Sequence, residues 1–98
     1  MIKHVVLFKF KPETTAAQRE ELVDALNALP PLIPEIKGWK IVHTVPGRPA
    51  RFHHIALFSE FEDVAAVDRY VANPDHQKVV PLVEKYCETR ANFDYEKK

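Results

Sequence analysis

The chain has 98 residues and equal numbers of basic and acidic side chains, 14 of each, so its formal net charge is zero. A neutral chain without a basic run lacks the electrostatic footprint of a nucleic-acid-binding protein, and no apolar stretch approaches the roughly 18 residues of a membrane span. The length fits one domain covering residues 1–98.

The cysteine content and the start of the chain indicate the cellular compartment in which the protein is expected. Cys87 is the only cysteine, so no internal disulfide can form. Met1 leads directly into a strand-like pattern, without the charged start and apolar middle of a signal peptide. We therefore expect a cytoplasmic protein.

The first part of the chain predicts three strands and one helix. Alternation over Ile2–Phe10 predicts a strand that is apolar on both faces at its centre. A capping box at Thr15–Gln18 begins a helix, which Pro30–Pro31 ends. Further strands are predicted over Trp39–Val45 and, after a loop too long for a tight hairpin, over Phe52–Phe61.

The remainder predicts a helical region broken in two and a last strand. Asp63 can cap a helix that Asn73–Pro74 ends. Asp75 can cap the next helix, which Pro81 should kink or restart at its own position. Glu88–Tyr95 alternates again and predicts the final strand.

The predicted order is β-α-β-β-α-β, an α+β pattern in which an antiparallel sheet has helices on one face. We expect the uncovered face to be apolar, with Val5 and Leu7 of the first strand and Ile55 and Leu57 of the third upon it. An exposed apolar face of this kind is typical of a partner-binding surface. Two copies closing face to face would bury it, so we expect a homodimer.

A candidate site lies around the stretch Asp68–Gln77, which contains a phenol, a helix end, a helix start and an imidazole. This arrangement can place Tyr70 and His76 on two sides of one small space. If the strand rows of His4 and His54 face the helices, their imidazoles point into the same space. Polar groups converging on an apolar cavity are typical of a small-molecule site. The neighbours of His4 in its row, which would line this pocket, are Val6 and Phe8.

Phenol and imidazole together indicate proton-transfer chemistry on a carbonyl compound. Histidine titrates near neutral pH, so His76 could take an acidic α-proton. Tyr70 could hydrogen-bond the carbonyl oxygen and stabilise the enolate that forms. The expected ligand is therefore a small carbonyl-bearing or aromatic molecule.

Structural roles for the same residues stay open at this point. His4 and His54 could be core histidines bonded to the backbone, and Tyr70 could be a packing residue with its hydroxyl at the surface. His76 could be an exposed residue of a first helical turn. His53 and His54 face opposite sides of a strand and no zinc motif is present, so we expect neither a metal nor a cofactor.

Four segments in this order resemble the Dabb family, the stress-responsive dimeric α/β-barrel domain, over essentially the whole chain. They are Ile2–Phe10, His54–Leu57, Tyr70–His76 and Phe93–Tyr95. The resemblance implies a ferredoxin-like protomer and a β-barrel formed across a dimer. The family contains stress-induced plant proteins, bacterial members without an assigned activity, and a polyketide cyclase that works by an aldol step.

The resemblance to that cyclase implies roles for individual residues. The positions matching Tyr70 and His76 hold its chemistry, and those matching His4 and His54 line its pocket. Leu26 stands near a pocket tyrosine of the cyclase, so we expect Leu26 in the pocket as well. The sequence thus predicts a homodimeric small-molecule-binding protein, possessing cofactor-free acid/base activity if it is an enzyme. The alternatives are a non-catalytic stress-response or ligand-sequestering dimer and a partner domain acting beside a metabolic enzyme.

Overall fold

A computed structural model describes the chain from Met1 to Lys98. Its elements, in chain order, are β1 (Ile2–Phe10), α1 (Ala16–Asn27), β2 (Gly38–His43), β3 (Ile55–Phe61), α2 (Val64–Ala72), α3 (Pro74–Tyr86) and β4 (Cys87–Glu96). The predicted α+β, ferredoxin-like order is confirmed, with the second helical region in two pieces. None of the helices combines the length and hydropathy that a membrane span requires.

The four strands form one antiparallel sheet in the order β2-β3-β1-β4. β1 is central, pairing with β3 on one side and β4 on the other, and both of its rows contain apolar residues. The helices cover one face, and a cluster of 17 buried residues fills the space between the helices and the sheet.

The register corrects the expected faces of β3. Residues paired directly across two antiparallel strands share a face. Leu57 pairs with the buried Val6, and Ile55 pairs with the buried Phe8. Ile55 and Leu57 therefore belong to the core beneath the helices, and their expected place on the open face was wrong. Both rows of the run His54–Phe58 are rich in apolar residues, so alternation alone could not decide which row faces inward.

The uncovered face is nevertheless apolar, because the other rows supply it. Val5 pairs with Phe58 of β3 and with Phe93 of β4, and these two phenylalanines are 42% and 65% exposed. We call this surface the open sheet face. Its apolar residues are Val5, Leu7, Val42, Ala56, Phe58, Ala91, Phe93 and Tyr95.

The junction of α2 and α3 is built by Asn73. This residue ends α2, and its Oδ1 accepts a hydrogen bond from the backbone N–H of Asp75 at 2.8 Å, so it also caps α3. The expected cap at Asp75 was therefore wrong. Pro74 is suited to the first helical position because its missing N–H would have no helical partner there, and this moves the start of α3 to Pro74.

Pro81 does not interrupt α3, which is continuous over Pro74–Tyr86. The expected restart at this proline was wrong. Val79, Val83 and Tyr86 are buried against the core on both sides of Pro81. Their packing stabilises the continuous helix and outweighs the hydrogen bond that proline removes.

Candidate functional site

A cavity of about 250 Å³ lies between the helices and the covered face of the sheet. Fourteen residues line it, nine of them hydrophobic, and they come from every element except β2. We call this space the cavity. Its lining residues are His4, Val6, Phe8, Leu26, Leu57, Tyr70, Val71, His76, Gln77, Val79, Val80, Val83, Arg90 and Asn92.

Most of the residues that the sequence singles out come together here. The lining includes both proposed acid/base residues and four of the five pocket residues. These six are His4, Val6, Phe8, Leu26, Tyr70 and His76.

His54 is the exception, because it lies outside the cavity. It precedes β3, and its ring stacks on Phe10 with centroids 5.7 Å apart. Its Nδ1 accepts a hydrogen bond from the backbone N–H of Phe10 at 2.9 Å. Burial, and after it the charge of Arg19, lowers the pKa of His54, which favours the neutral ring that this bond requires. The expectation failed because His54 lies before β3 and its ring packs on Phe10, at the end of β1 away from the cavity.

Tyr70 lies on the inner face of α2 and is only 2% exposed. Its ring centroid is 4.5 Å from that of His76, 4.9 Å from that of Phe61 and 6.0 Å from that of His4. No hydrogen bond within the chain involves its hydroxyl, which remains accessible from the cavity. Burial raises the pKa of Tyr70, so the hydroxyl keeps its proton and can donate it to a ligand.

His76 lies in the first turn of α3, and its Nδ1 is 3.0 Å from the backbone oxygen of Val71. A carbonyl oxygen can only accept, so Nδ1 must hold a proton and donate it. The neutral ring then has a free lone pair on Nε2. Burial lowers the pKa of His76, and the charges of Arg90 and His4 act in the same direction, against the bond to Val71. The group is therefore poised as a base at neutral pH.

The two rings meet because the helix is broken at Asn73. On one continuous helix, side chains six residues apart would point in directions about 120° apart, that is, to different sides. The junction instead turns the chain between Tyr70 and His76. Sequence reasoning found this pair because Asn73–Pro74 is a visible helix stop and start.

His4 has a carboxylate partner that the sequence reasoning missed. It is buried on β1, and its Nδ1 hydrogen-bonds the carboxylate of Asp94, the residue directly opposite on β4. An imidazole held by a carboxylate has a fixed orientation, with Nδ1 as the donor. The available signal was the pairing of the first and last strands in a β-α-β-β-α-β fold, which brings these two residues side by side.

Two more polar lining residues were missed, Arg90 and Asn92 of β4. They share the helix-side row of that strand and pair with Phe8 and Val6. Polar residues alternating on an edge strand usually face water, so the sequence offered no reason to place these two in a cavity. Elsewhere, no three His, Cys, Asp or Glu side chains cluster as a metal centre requires.

Fold and cavity together define a ferredoxin-like α+β protein with a small-molecule-sized space under its helices. The model of the stress responsive A/B barrel domain, Dabb, matches residues 2–97. The chain belongs to the Dabb family, as its resemblance implied.

Similar proteins extend along nearly the whole chain. Olivetolic acid cyclase of Cannabis sativa is 30% identical over 96 residues, which cover 96% of this chain and 94% of the cyclase. An uncharacterised protein of Streptomyces coelicolor is 32% identical over 98 residues, covering 98% and 99% of the two chains. A dimeric ferredoxin-like protein of unknown function from Bacteroides fragilis superposes with a TM-score of 0.81 at 29% identity, covering 97% of this chain and 94% of the other.

Proposed function

We propose that this chain forms a homodimer that binds a small carbonyl-bearing or aromatic molecule in the cavity and transfers protons on it without a cofactor. His76 is the base, and Tyr70 is the donor to the carbonyl oxygen. One observation supports this above all others. A neutral imidazole, fixed by the backbone oxygen of Val71, lies against a buried phenol whose hydroxyl has no partner in the chain.

The chemistry follows from the states of these two groups. His76 Nε2 takes the α-proton, and the electron pair left on carbon delocalises onto the carbonyl oxygen, where the Tyr70 hydroxyl donates a hydrogen bond to the growing charge. If the ligand has a second carbonyl within reach, the enolate carbon attacks it, a C–C bond closes a ring, and His76 returns its proton to the new alkoxide. Olivetolic acid cyclase, as a 30% identical relative, supports a ring closure of this kind.

The open sheet face supports the homodimer. Its exposed Phe58 and Phe93 form an apolar surface on the side that no helix covers. Such a surface is typical of an interface, which at standard size would bury more than about 1,000 Å² in total. The similar Bacteroides fragilis protein is described as dimeric, which points to the same assembly.

We also propose that the protein is cytoplasmic. Cys87 is free and buried, and burial raises the pKa of its thiol to about 11. A lone unreactive thiol suits a reducing compartment, where structural disulfides do not form.

The proposed chemistry can be tested without the natural substrate. The probe is ethyl 2-methyl-3-oxobutanoate, whose single acidic C2 proton exchanges with D₂O and is followed by proton NMR. We expect the wild-type protein to accelerate this exchange. Replacing the base in His76→Ala or the donor in Tyr70→Phe should lower the acceleration by roughly a hundredfold.

Matched variants separate chemistry from stability. His43→Ala removes an exposed histidine outside the cavity and should leave the exchange unchanged. Tyr86→Phe removes a half-buried hydroxyl that donates to Glu21 at 2.9 Å, so it should lower the free energy of unfolding by about 1 kcal/mol without slowing exchange. Tyr70→Phe should show the opposite pattern. If the probe binds in the cavity and no acceleration is seen, the ligand-sequestering alternative is favoured.

A further inference from the structure

The cavity has an unbalanced charge. Its lining contains the cationic Arg90 and two histidines, but no aspartate or glutamate. None of the five ion pairs within the chain involves Arg90. A fixed positive charge therefore borders an otherwise mostly apolar space and has no counter-charge in the chain.

The carboxylates nearest along the strand are already engaged. Glu88 pairs with Lys9, their charged atoms 3.3 Å apart, and Asp94 bonds to His4. The two carboxylates of β4 on either side of Arg90 are therefore paired with residues of β1, and Arg90 itself has no ion-pair partner. Arg90 is exposed to solvent and also lines the cavity, so its guanidinium lies where a ligand would enter this space from water.

The position of Arg90 fits two-point recognition of a ligand. Alternate residues on a strand are about 6.6 Å apart, so Arg90 and Asn92 follow one another along one wall of the cavity, opposite Phe8 and Val6 of β1. Tyr70 lies near His4, the residue beyond Val6 in the same row of β1. The guanidinium and the phenol therefore mark two separated polar points with apolar walls between them. The charge of Arg90 also contributes to the lowered pKa of His76, which is consistent with one shared space.

We propose that the ligand of the cavity is a small oxo acid, whose carboxylate is bound by the guanidinium of Arg90 with the amide of Asn92 beside it, while its carbonyl group lies between Tyr70 and His76. This inference rests on the proposed function and names its substrate class. Guanidinium is planar and presents parallel N–H donors that match the two oxygens of a carboxylate. Arg90 is thus a specificity-determining residue of the site.

Two probes of the same shape test the inference, 5-oxo-5-phenylpentanoate and the neutral 5-oxo-5-phenylpentanamide, in which a chain of methylene groups separates the ketone from the acid or amide end. Each is titrated into the full-length protein, and the backbone amide NMR signals around His76 and Asn92 are followed. We expect the acid to bind wild-type protein roughly tenfold more tightly than the amide, the effect of one charge-assisted contact. In Arg90→Met the two affinities should become equal through weaker binding of the acid alone. Arg90→Lys should keep part of the preference, because it retains the charge without the fork.

The control is Arg48→Met, which removes an exposed loop arginine stacked on Phe52, outside the cavity, and should keep the full preference. Equal binding of acid and amide at the cavity of the wild-type protein would overturn the oxo-acid inference and leave the proposed carbonyl site standing. The same holds if Arg90→Met keeps the preference. If neither probe shifts cavity signals at millimolar concentration, both the inference and the proposed function are overturned.

Discussion

The protonation state of His76 decides how the site responds to pH. Burial lowers the pKa of His76, and burial also lowers that of His54. Below pH 6.5 the unfolded chain therefore binds more protons than the folded one, so the stability of the fold rises with pH in this range and levels off above it. The same shift keeps the Nε2 lone pair of His76 available at and somewhat below neutral pH.

We predict that His76→Gln weakens the acid sensitivity of the fold. Urea unfolding of wild-type protein should give a lower free energy of unfolding at pH 5.5 than at pH 7.5. Glutamine can still donate to the oxygen of Val71 but does not titrate, so the variant should lose less stability over the same interval. A control, His43→Gln, alters an exposed histidine and should behave as wild type. Equal losses in all three proteins would show that His76 is not desolvated in solution.

The positions of some site residues could be predicted from the sequence, and those of others could not. Tyr70 and His76 were found because a helix stop and a helix start lie between them, a local signal that needs no tertiary information. Arg90 and Asp94 were missed because only the strand pairing reveals that their row faces the helices. His54 was misplaced because its ring packs on Phe10 at the end of β1, a tertiary contact that its own neighbours do not reveal.

The junction at Asn73 is the element that positions the site. Asn73 ends α2 three residues after Tyr70, and its side chain caps α3 three residues before His76. Losing this cap frees the first turn of α3, and His76 belongs to that turn. The geometry of the two rings therefore depends on a residue that lines no part of the cavity.

We predict that Asn73→Ala and Thr15→Ala have similar effects on stability and different effects on the site. Each removes an N-cap side chain, Thr15 that of α1, and should lower the free energy of unfolding by about 1 kcal/mol in chemical denaturation. Only Asn73→Ala should also slow the exchange of ethyl 2-methyl-3-oxobutanoate and shift the imidazole signals of His76 in NMR spectra. Unchanged imidazole signals in Asn73→Ala would contradict the positioning role of the cap.

Secondary structure was largely readable at the level of elements, and its errors have physical causes. The capping box at Thr15 and the cap at Asp63 are local signals, and the structure contains both. The faces of β3 were not readable because both of its rows contain apolar residues. The continuity of α3 through Pro81 was not readable either, because burial of Val79 and Val83 on each side of the proline is a tertiary effect.

For the whole molecule, the sheet has one face covered by helices and one left apolar and open. The similar Bacteroides fragilis protein is described as dimeric, and the exposed Phe93 lies near the middle of β4 on this open face. A charge placed there would be buried without a partner if two copies closed over it, which is strongly unfavourable.

We predict that Phe93→Lys converts a dimer into a monomer. Light scattering coupled to size-exclusion chromatography should give about twice the chain mass for wild-type protein at micromolar concentration, and the single mass for the variant. Val64→Lys places the same charge at an exposed position at the start of α2, away from the open sheet face, and should remain dimeric. A monomeric wild-type protein, or a dimeric Phe93→Lys variant, would rule out this interface.

β4 contributes side chains to both the cavity and the open sheet face. Arg90 and Asn92 line the cavity, and Phe93 and Tyr95 lie on the open sheet face. If the proposed dimer closes through that face, any shift of β4 caused by a ligand at Arg90 would also alter the interface with the second copy. By thermodynamic linkage, if ligand binding changes the affinity of the two copies for each other by some factor, dimerisation changes the affinity for the ligand by the same factor. Where ligand binding strengthens dimerisation, diluting the protein would weaken ligand binding, because the affinity would depend on the fraction of chains that are dimeric.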